Sequence, residues 1–514
     1  MPFFRNKNAM TSAKLFIALL PLLLLATGCS TSRYRSGMKT IHKAYATGDF
    51  DTALAVTSKH IVNQPRNATS NNMLVWRLNH AVLLDAAGRR EQAEDQWEII
   101  QPVFEEAWKN DRIHIVGDTV GLLVPGTKDK YYPRPHEGVM VYTYRMLNAL
   151  ILGDIDEARR FLVAAMEFRD EVIKENEARV EKRKECGMDN SSDLTEAAIT
   201  DELEKKNNTD ANKGKDESLK VSGSLLSKLE EKRRQEELRV DLEGYANYAN
   251  PLTGFLTYLF LNTQGTGLRL TDRANMLREL DELSVFTSNS VVHDALTRDV
   301  DTPLANRVYI FFETGVAPCQ EEERFEIPIP TTISWFPSYW GIAYPKLVPN
   351  SNYVPYLQVS ATGQSDISTE TLVDFDAITQ QSFNDAWPGV IARQISQSVV
   401  TTVINAAIKY AANKAADNID NIWVRWGTKI FIWGGTAALS YVMIEADTRS
   451  WELLPKQVQV AQLDIPENRM LHLSFPSGSW SETLTLDEGD VMAVWVKSTS
   501  SWQAAPLATQ FKFK

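Results

Sequence analysis

"GDFDTALA" (residues 48–55) returns twice in altered form, as "GRREQAED" (88–95) and "GDIDEARR" (153–160). In each copy a glycine is followed five residues later by an alanine: Gly48 and Ala53, Gly88 and Ala93, Gly153 and Ala158. An apolar segment with helical spacing precedes each ("MKTIHKAYAT", "WRLNHAVLLDAA", "YTYRMLNALIL"), and another helix-forming run follows. Glycine enters the left-handed backbone region at little steric cost and so ends a helix sharply. The alanine has little side chain, which lets the returning helix lie close to its partner. The pattern predicts three helical hairpins.

These octapeptides resemble the corner of the tetratricopeptide repeat, in which a small residue early in the second helix packs against the first. Pro65 falls where a repeat-ending proline would stand, Trp97 in an aromatic slot after Ala93, and Ala165 in a small-residue slot after Ala158. The copies are 40 and 65 residues apart, against about 34 in a regular array, and the signature tryptophan of the first helix is missing. The expectation is a degenerate array with insertions over 37–300; three unrelated hairpins are the alternative. "NPLTGFLTYLFLNTQ" (250–264) and "TDRANMLRELDELSVF" (271–286) extend it by a further pair, with Pro251 just inside one helix and Thr271 as the N-cap of the other. Residues 187–222 between these pairs are charged and poor in apolar side chains, which predicts a disordered insertion. A partner-binding arm is the other possibility for them.

From about Leu304 the pattern changes to short strands. "NRVYIFFETGVAPCQEEERFEIPIP", "NYVPYLQVSAT", "KQVQVAQLDIP", "RMLHLSF", "SETLTLDEGDVMAVWVKS" and "LATQFKFK" predict an antiparallel β domain over 304–514, built as a sandwich. A helical insertion at 382–451 divides it. Within that insertion "KIFIWGGTAALSYVMI" (429–444) is apolar but short, and a buried helix or hairpin fits it better than a membrane span. The expected class is therefore α+β and multidomain, with a tetratricopeptide-like helical array followed by an antiparallel β domain.

The N-terminus sets the expected location. Arg5, Lys7 and Lys14 precede an apolar run from Leu15 to Ala26, which is shorter than the roughly 20 residues a spanning helix takes and reads as an export signal. "LATGC" (25–29) resembles the bacterial lipobox. That resemblance implies a signal at 1–28, cleavage after Gly28 and lipidation of Cys29; an ordinary signal peptide that contains a cysteine is the alternative. Ser30 after the cysteine favours the outer membrane, with the protein facing the periplasm. Residues 29–36 are expected to be a flexible tether.

The chain has 514 residues and a net charge of −12, which becomes −15 when the three leader cations leave. That balance argues against nucleic acid, whose binding rests on cationic contacts to phosphate. Cys186 and Cys319 could pair in an oxidising compartment, although "KRKECGMDN" is a poor anchor for a bridge. The seven histidines are scattered, "PHEGV" supplies only His136 and Glu137 of a zinc-protease motif, and neither a nucleophile elbow nor a phosphate loop occurs. No enzyme activity, cofactor or metal is expected.

"YTYRMLNALILGDIDEARR", "YANPLTGFLTYLF", "VYIFFETGVAP", "GIAYP" and "ADTRSWELLPKQVQVAQLDIP" together resemble a family of bacterial lipoproteins with a tetratricopeptide-like front half and a β-rich rear half. The resemblance covers most of the mature chain and brings no catalytic or binding residues with it. In "ADTRSW", Asp447 and Arg449 could bind a ligand at the domain junction, or pair there above a packed Trp451. The resulting expectation is a membrane-tethered, non-catalytic scaffold whose helical groove holds an unidentified envelope protein or peptide. The rival is a glycan-binding protein or hydrolase with its site in the β domain, near Trp335, Tyr339 and Trp340.

Overall fold

The computed structural model of the chain describes residues 30–62, 72–117, 131, 133–185, 250–263, 270–299, 302–329, 338–387, 390–391, 394 and 446–513. Eight helices pair in sequence order. They are α1 (Ser30–Thr47) with α2 (Phe50–Ile61), α3 (Met73–Ala86) with α4 (Arg90–Gly117), α5 (Pro135–Leu152) with α6 (Ile155–Glu185), and α7 (Pro251–Thr263) with α8 (Leu270–Phe286).

The three glycines end their helices in one way. Gly48, Gly88 and Gly153 have φ of 77°, 72° and 79°. The N–H of the residue after each reaches back to a carbonyl five positions earlier: Asp49 to Ala44 at 2.9 Å, Arg89 to Leu84 at 2.9 Å, Asp154 to Ala149 at 2.8 Å. That is the six-to-one bond of a Schellman stop. Where the next residue is aspartate it also caps the following helix, Asp49 accepting from Thr52 N–H and Asp154 from Glu157 N–H. Ala53, Ala93 and Ala158 are fully buried where the paired helices meet. Thr271 differs from expectation, because α8 begins at Leu270 and places this threonine inside the helix.

The expected tether at 29–36 is corrected over 30–36, which lie in helix α1, with Tyr34 buried and its ring 5.0 Å from that of Trp76. The apolar spacing Tyr34, Met38, Ile41, Tyr45 gives this segment a core-facing stripe, and the stripe overrides the serines around it.

After α9 (Ser290–Thr297), capped by Asn289 Oδ1, the chain enters its sheets. Strands β1 (Arg307–Thr314), β6 (Glu370–Asp374), β7 (Gln457–Asp464), β10 (Val491–Ser498) and β11 (Leu507–Lys512) form one sheet in the order β11-β10-β1-β7-β6. A second sheet has the order β5-β4-β8-β9, from β4 (Gln358–Ala361), β5 (Ile367–Ser368), β8 (Met470–Ser474) and β9 (Ser481–Thr485). Among the described residues, strands β2 (Cys319–Ile329) and β3 (Ser338–Val348) pair only with each other, as a ribbon. Residues 375–387 form a helix, α10, that begins before the expected insertion boundary at 382. Most of that insertion lies outside the described residues.

The architecture is α+β with mainly antiparallel sheets, with one exception to the expected antiparallel domain: β1 and β10 run parallel, Phe311 opposite Trp495. Both strands are buried almost throughout, the condition in which parallel pairs are found. Alternate residues of β1 serve different layers. Val308, Ile310 and Phe312 face the second sheet with Leu357, Val359, Leu471 and Leu473. Tyr309 and Phe311 join Trp495, Val458 and Val460 in a core shared with the helices, which runs from Tyr34 to Phe513. The five-stranded sheet is thus the middle of three layers. The β10–β11 turn is tied to the first hairpin, where Thr499 and Ser500 hydroxyls donate to the Tyr45 and Ala46 carbonyls at 2.7 and 2.6 Å.

Candidate functional site

Residues 446–456, leading from the insertion into β7, take no regular secondary structure yet are almost entirely buried. This strap lies against the first three helical hairpins. A buried main chain without a ladder must find other hydrogen-bond partners, and here the helices supply them from side chains. Asn79 of α3 accepts from Leu453 N–H at 3.2 Å, and Glu137 of α5 accepts from Trp451 N–H at 3.1 Å. The Tyr34 hydroxyl of α1 donates to the Ser450 carbonyl at 2.8 Å.

The side chains of the strap are fixed as firmly. Trp451 packs against Trp97 and Tyr144, with ring centres 5.8 and 5.9 Å away. Glu452 meets His42 Nε2 at 2.6 Å. Arg449 grips Asp447 through Nε at 2.7 Å and Nη2 at 2.6 Å, while its Nη1 donates to Asn72 Oδ1 at 2.7 Å. Burial pushes the Asp447 carboxyl up, but the Arg449 guanidinium outweighs it and holds the pKa below the usual carboxylate range. Asp447, Arg449 and Trp451 therefore come together as a packed junction.

Glu137 is the centre of this arrangement. It accepts from the Tyr131 hydroxyl, from Arg134 N–H at 2.8 Å and from the strap. Burial raises its pKa above the ordinary carboxylate value, with the hydrogen bonds opposing that shift. Neighbouring His136 has its pKa depressed to about 3 by burial and by Arg134, so the ring stays neutral.

A second buried polar group lies where the helices meet the middle sheet. Lys497 Nζ is 2.5 Å from Glu313 Oε1, and Glu313 Oε2 accepts from the Trp495 indole at 3.0 Å. Asp85 and Arg90 pair nearby at 3.0 Å. Each charge here has an opposite partner, as buried ions require, and the Tyr144 hydroxyl donates to Glu313 Oε1 at 3.3 Å. No group of His, Cys, Asp and Glu among the described residues could hold a metal ion. Cys319 is unbridged, and burial first, then Glu452 and Glu321, push its thiol up to about 12.

Several expected positions lie outside the described residues: the signal with Gly28 and Cys29, Pro65, Cys186, the 187–222 insertion, Trp335 and 430–444. Tyr339 and Trp340 fall on β3. Among the described residues, no helix is long and apolar enough to cross a membrane. Asn79, Glu137, Tyr34 and His42 were not foreseen as site residues. The available signal was polar side chains inside otherwise apolar helical stripes ("WRLNHAVLL", "PHEGVMVY").

Compared with family models, curated proteins and solved structures, the chain matches none of them.

Proposed function

We propose that this protein is a non-catalytic interaction scaffold of the bacterial envelope, tethered by lipid on Cys29 to the outer membrane and facing the periplasm. Its helical half is a tetratricopeptide-like array that holds extended chain. The observation that carries this proposal is the strap: side chains on three successive hairpins take main-chain groups of one irregular segment, Tyr34 and Ser450, Glu137 and Trp451, Asn79 and Leu453.

The strap also changes where a partner sits. Every residue of α3 and α7 is buried, and strap and sheet fill the side of the array toward which these helices turn. An envelope protein or peptide then docks on the outward helices, where Val163 of α6 and Leu277 and Val285 of α8 stand exposed. The test has two readouts. Photo-crosslinking from Val163, Leu277 and Val285 in intact cells should yield discrete protein adducts, and mass spectrometry of the mature N-terminus should find acylated Cys29. An absence of adducts at all three positions, together with measurable binding of glycan by the purified protein, would replace the scaffold with the glycan-binding alternative.

A further inference from the structure

The outer face of the β5-β4-β8-β9 sheet carries no charge. Leu357, Val359, Leu471 and Leu473 point into the core, so the residues alternating with them point outward. Directly opposed residues share a face, and one row crosses all four strands: Ser368, Gln358, Ser474 and Ser481. The next row is Ser360, His472 and Thr483, and a third pairs Met470 with Thr485. Gln358, Ser360 and Ser474 are half-buried and the rest are exposed. Strands lie about 4.8 Å apart and alternate residues about 6.7 Å apart, so the rows cover about 14 by 13 Å. His472 Nδ1 is 3.1 Å from Thr483 Oγ1, which orders the middle row.

Two loops continue the uncharged surface and add aromatic rings to it. Tyr356, next to buried Leu357 just before β4, is 37% exposed. Earlier in the same loop, Asn352 Oδ1 accepts from Ser501 N–H at 3.2 Å and from the Ser501 hydroxyl at 2.5 Å. Trp502 follows Ser501 and is 70% exposed, although its N–H is held by Ser500 Oγ at 2.9 Å. Among the described residues from β1 onward, the large apolar side chains left exposed are Tyr356, Met470 and Trp502, and all three stand on these strands and loops. Residues 347–365, 470–481 and 498–511 contain no Asp, Glu, Lys or Arg, in a chain whose net charge is −12.

We propose that this surface binds an uncharged polysaccharide chain, with Tyr356 and Trp502 stacking on sugar rings and the hydroxyl and amide side chains of the rows hydrogen-bonding to sugar hydroxyls. Rigid aromatic side chains supply amphipathic contact area at low conformational cost, and Ser, Thr and Gln both donate and accept. An anionic polymer does not fit, because no cation here would balance the charge it buries. A protein interface has an apolar centre, and the rows offer Met470 alone. A second copy pairing along β9 is opposed by Glu482, which stands opposite Leu473 on the inner side of that strand. Inward-pointing charge on an edge strand blocks strand addition. The site shares no element with the α6 and α8 surface and needs neither the lipid anchor nor a protein partner.

The test is affinity electrophoresis of the full chain in native gels cast with hydroxyethylcellulose, glucomannan or dextran, with polygalacturonate as the acidic comparison. Migration should be retarded in at least one neutral gel and not by polygalacturonate. In that neutral gel Tyr356→Ala and Trp502→Ala should each weaken binding at least threefold. Thr483→Arg, which lays a long side chain across the middle row, should do the same. Val62→Ala, at an exposed position beside α2, should bind as the native chain does. No retardation in any neutral gel, or equal retardation by polygalacturonate, would overturn the proposal. Native binding by all three surface variants would overturn it too, because the sugar would then sit elsewhere on the molecule. The native chain's pattern across the four gels decides the matter even where a variant misfolds.

Discussion

The amide of Leu453 donates to Asn79 Oδ1 at 3.2 Å, joining positions 374 residues apart in the chain. Asn79 is fully buried, and its own Nδ2 donates back to the Val75 carbonyl at 2.8 Å. The amide group thus bridges helix and strap at both ends.

Asn79→Ala leaves the Leu453 N–H buried without a partner. Such a loss costs about 1–3 kcal/mol, and urea unfolding should show it as a lower midpoint. Hydrogen exchange should localise it, with Leu453 losing protection more than the α5 and α6 amides. Equal loss across the whole protein would show that the strap is not separately held by this bond.

Two glycines distinguish backbone strain from crowding. At Gly153, φ is 79° and a Cβ would meet nothing within 4 Å, so Gly153→Ala pays only the left-handed penalty, about 1–2 kcal/mol. At Gly138, inside α5, a Cβ would come within 2.3 Å of Phe168 and 2.7 Å of Phe104. Overpacking there costs about 1–3 kcal/mol or more, and the two ring neighbours place Gly138→Ala at the upper end. Thermal unfolding should rank Gly138→Ala as the more damaging; the reverse order would mean that the two phenylalanines yield easily.

Arg169 of α6 and Glu279 of α8 form a buried two-pronged pair at 2.5 and 2.7 Å. Arg169→Met or Glu279→Leu alone breaks this pair. The survivor keeps only its longer contacts, Arg169 with Asp170 and Glu282 or Glu279 with Arg278, so each variant should destabilise by up to about 3–5 kcal/mol. The double variant should recover most of that loss. A double-mutant cycle with no coupling would show that the pair is already solvated.

Acid should weaken the fold through two rings. Burial, reinforced by Arg77, lowers the pKa of His80 to about 4, and burial with Arg134 lowers that of His136 to about 3. An unfolded histidine titrates near 6.5, so below that pH the unfolded chain takes up protons that the folded chain refuses. Stability is therefore retained above about pH 6.5 and falls as pH drops toward 4, with a slope approaching about 1.4 kcal/mol per pH unit for each ring. Asp376 acts with the opposite sign. Burial raises its pKa to about 6 against the pull of Lys456, so its contribution is greatest in acid and is lost as pH rises from about 4 through 6. Urea midpoints measured from pH 7 to 4.5 should decline less steeply in the His80→Gln, His136→Gln double variant than in the native protein. Parallel declines would mean that other groups dominate.

The helix corners were legible because their cause is local: a glycine with positive φ and, at two of three, an aspartate that caps the next helix. Strand β8 was equally plain, with Leu471 and Leu473 alternating against His472 and Ser474. What sequence could not provide was partnership across distance. Nothing beside Arg169 names Glu279, and nothing in "ADTRSWELLP" shows that Asn79 and Glu137 will take its amides. The serines after Cys29 suggested a tether, while Tyr34 and Met38 carried the weaker signal of a helix that packs on Trp76. The parallel pairing of β1 with β10 was hidden for the same reason, since strand composition reports burial and says nothing of direction.

That pairing governs when the molecule can mature. Strand β1 lies between β7 and β10, and both arrive only in the final sixty residues. A chain that emerges from a ribosome or a translocation pore N-terminus first must leave both edges of β1 unpaired, and Val308, Ile310 and Phe312 without Leu471 and Leu473, until almost its whole length has passed. Long-range pairings of this kind form slowly and leave apolar surface open to aggregation meanwhile. Truncation anywhere before β10 removes the neighbour along one side of β1, so such fragments are substrates for quality control and not smaller working versions of the protein.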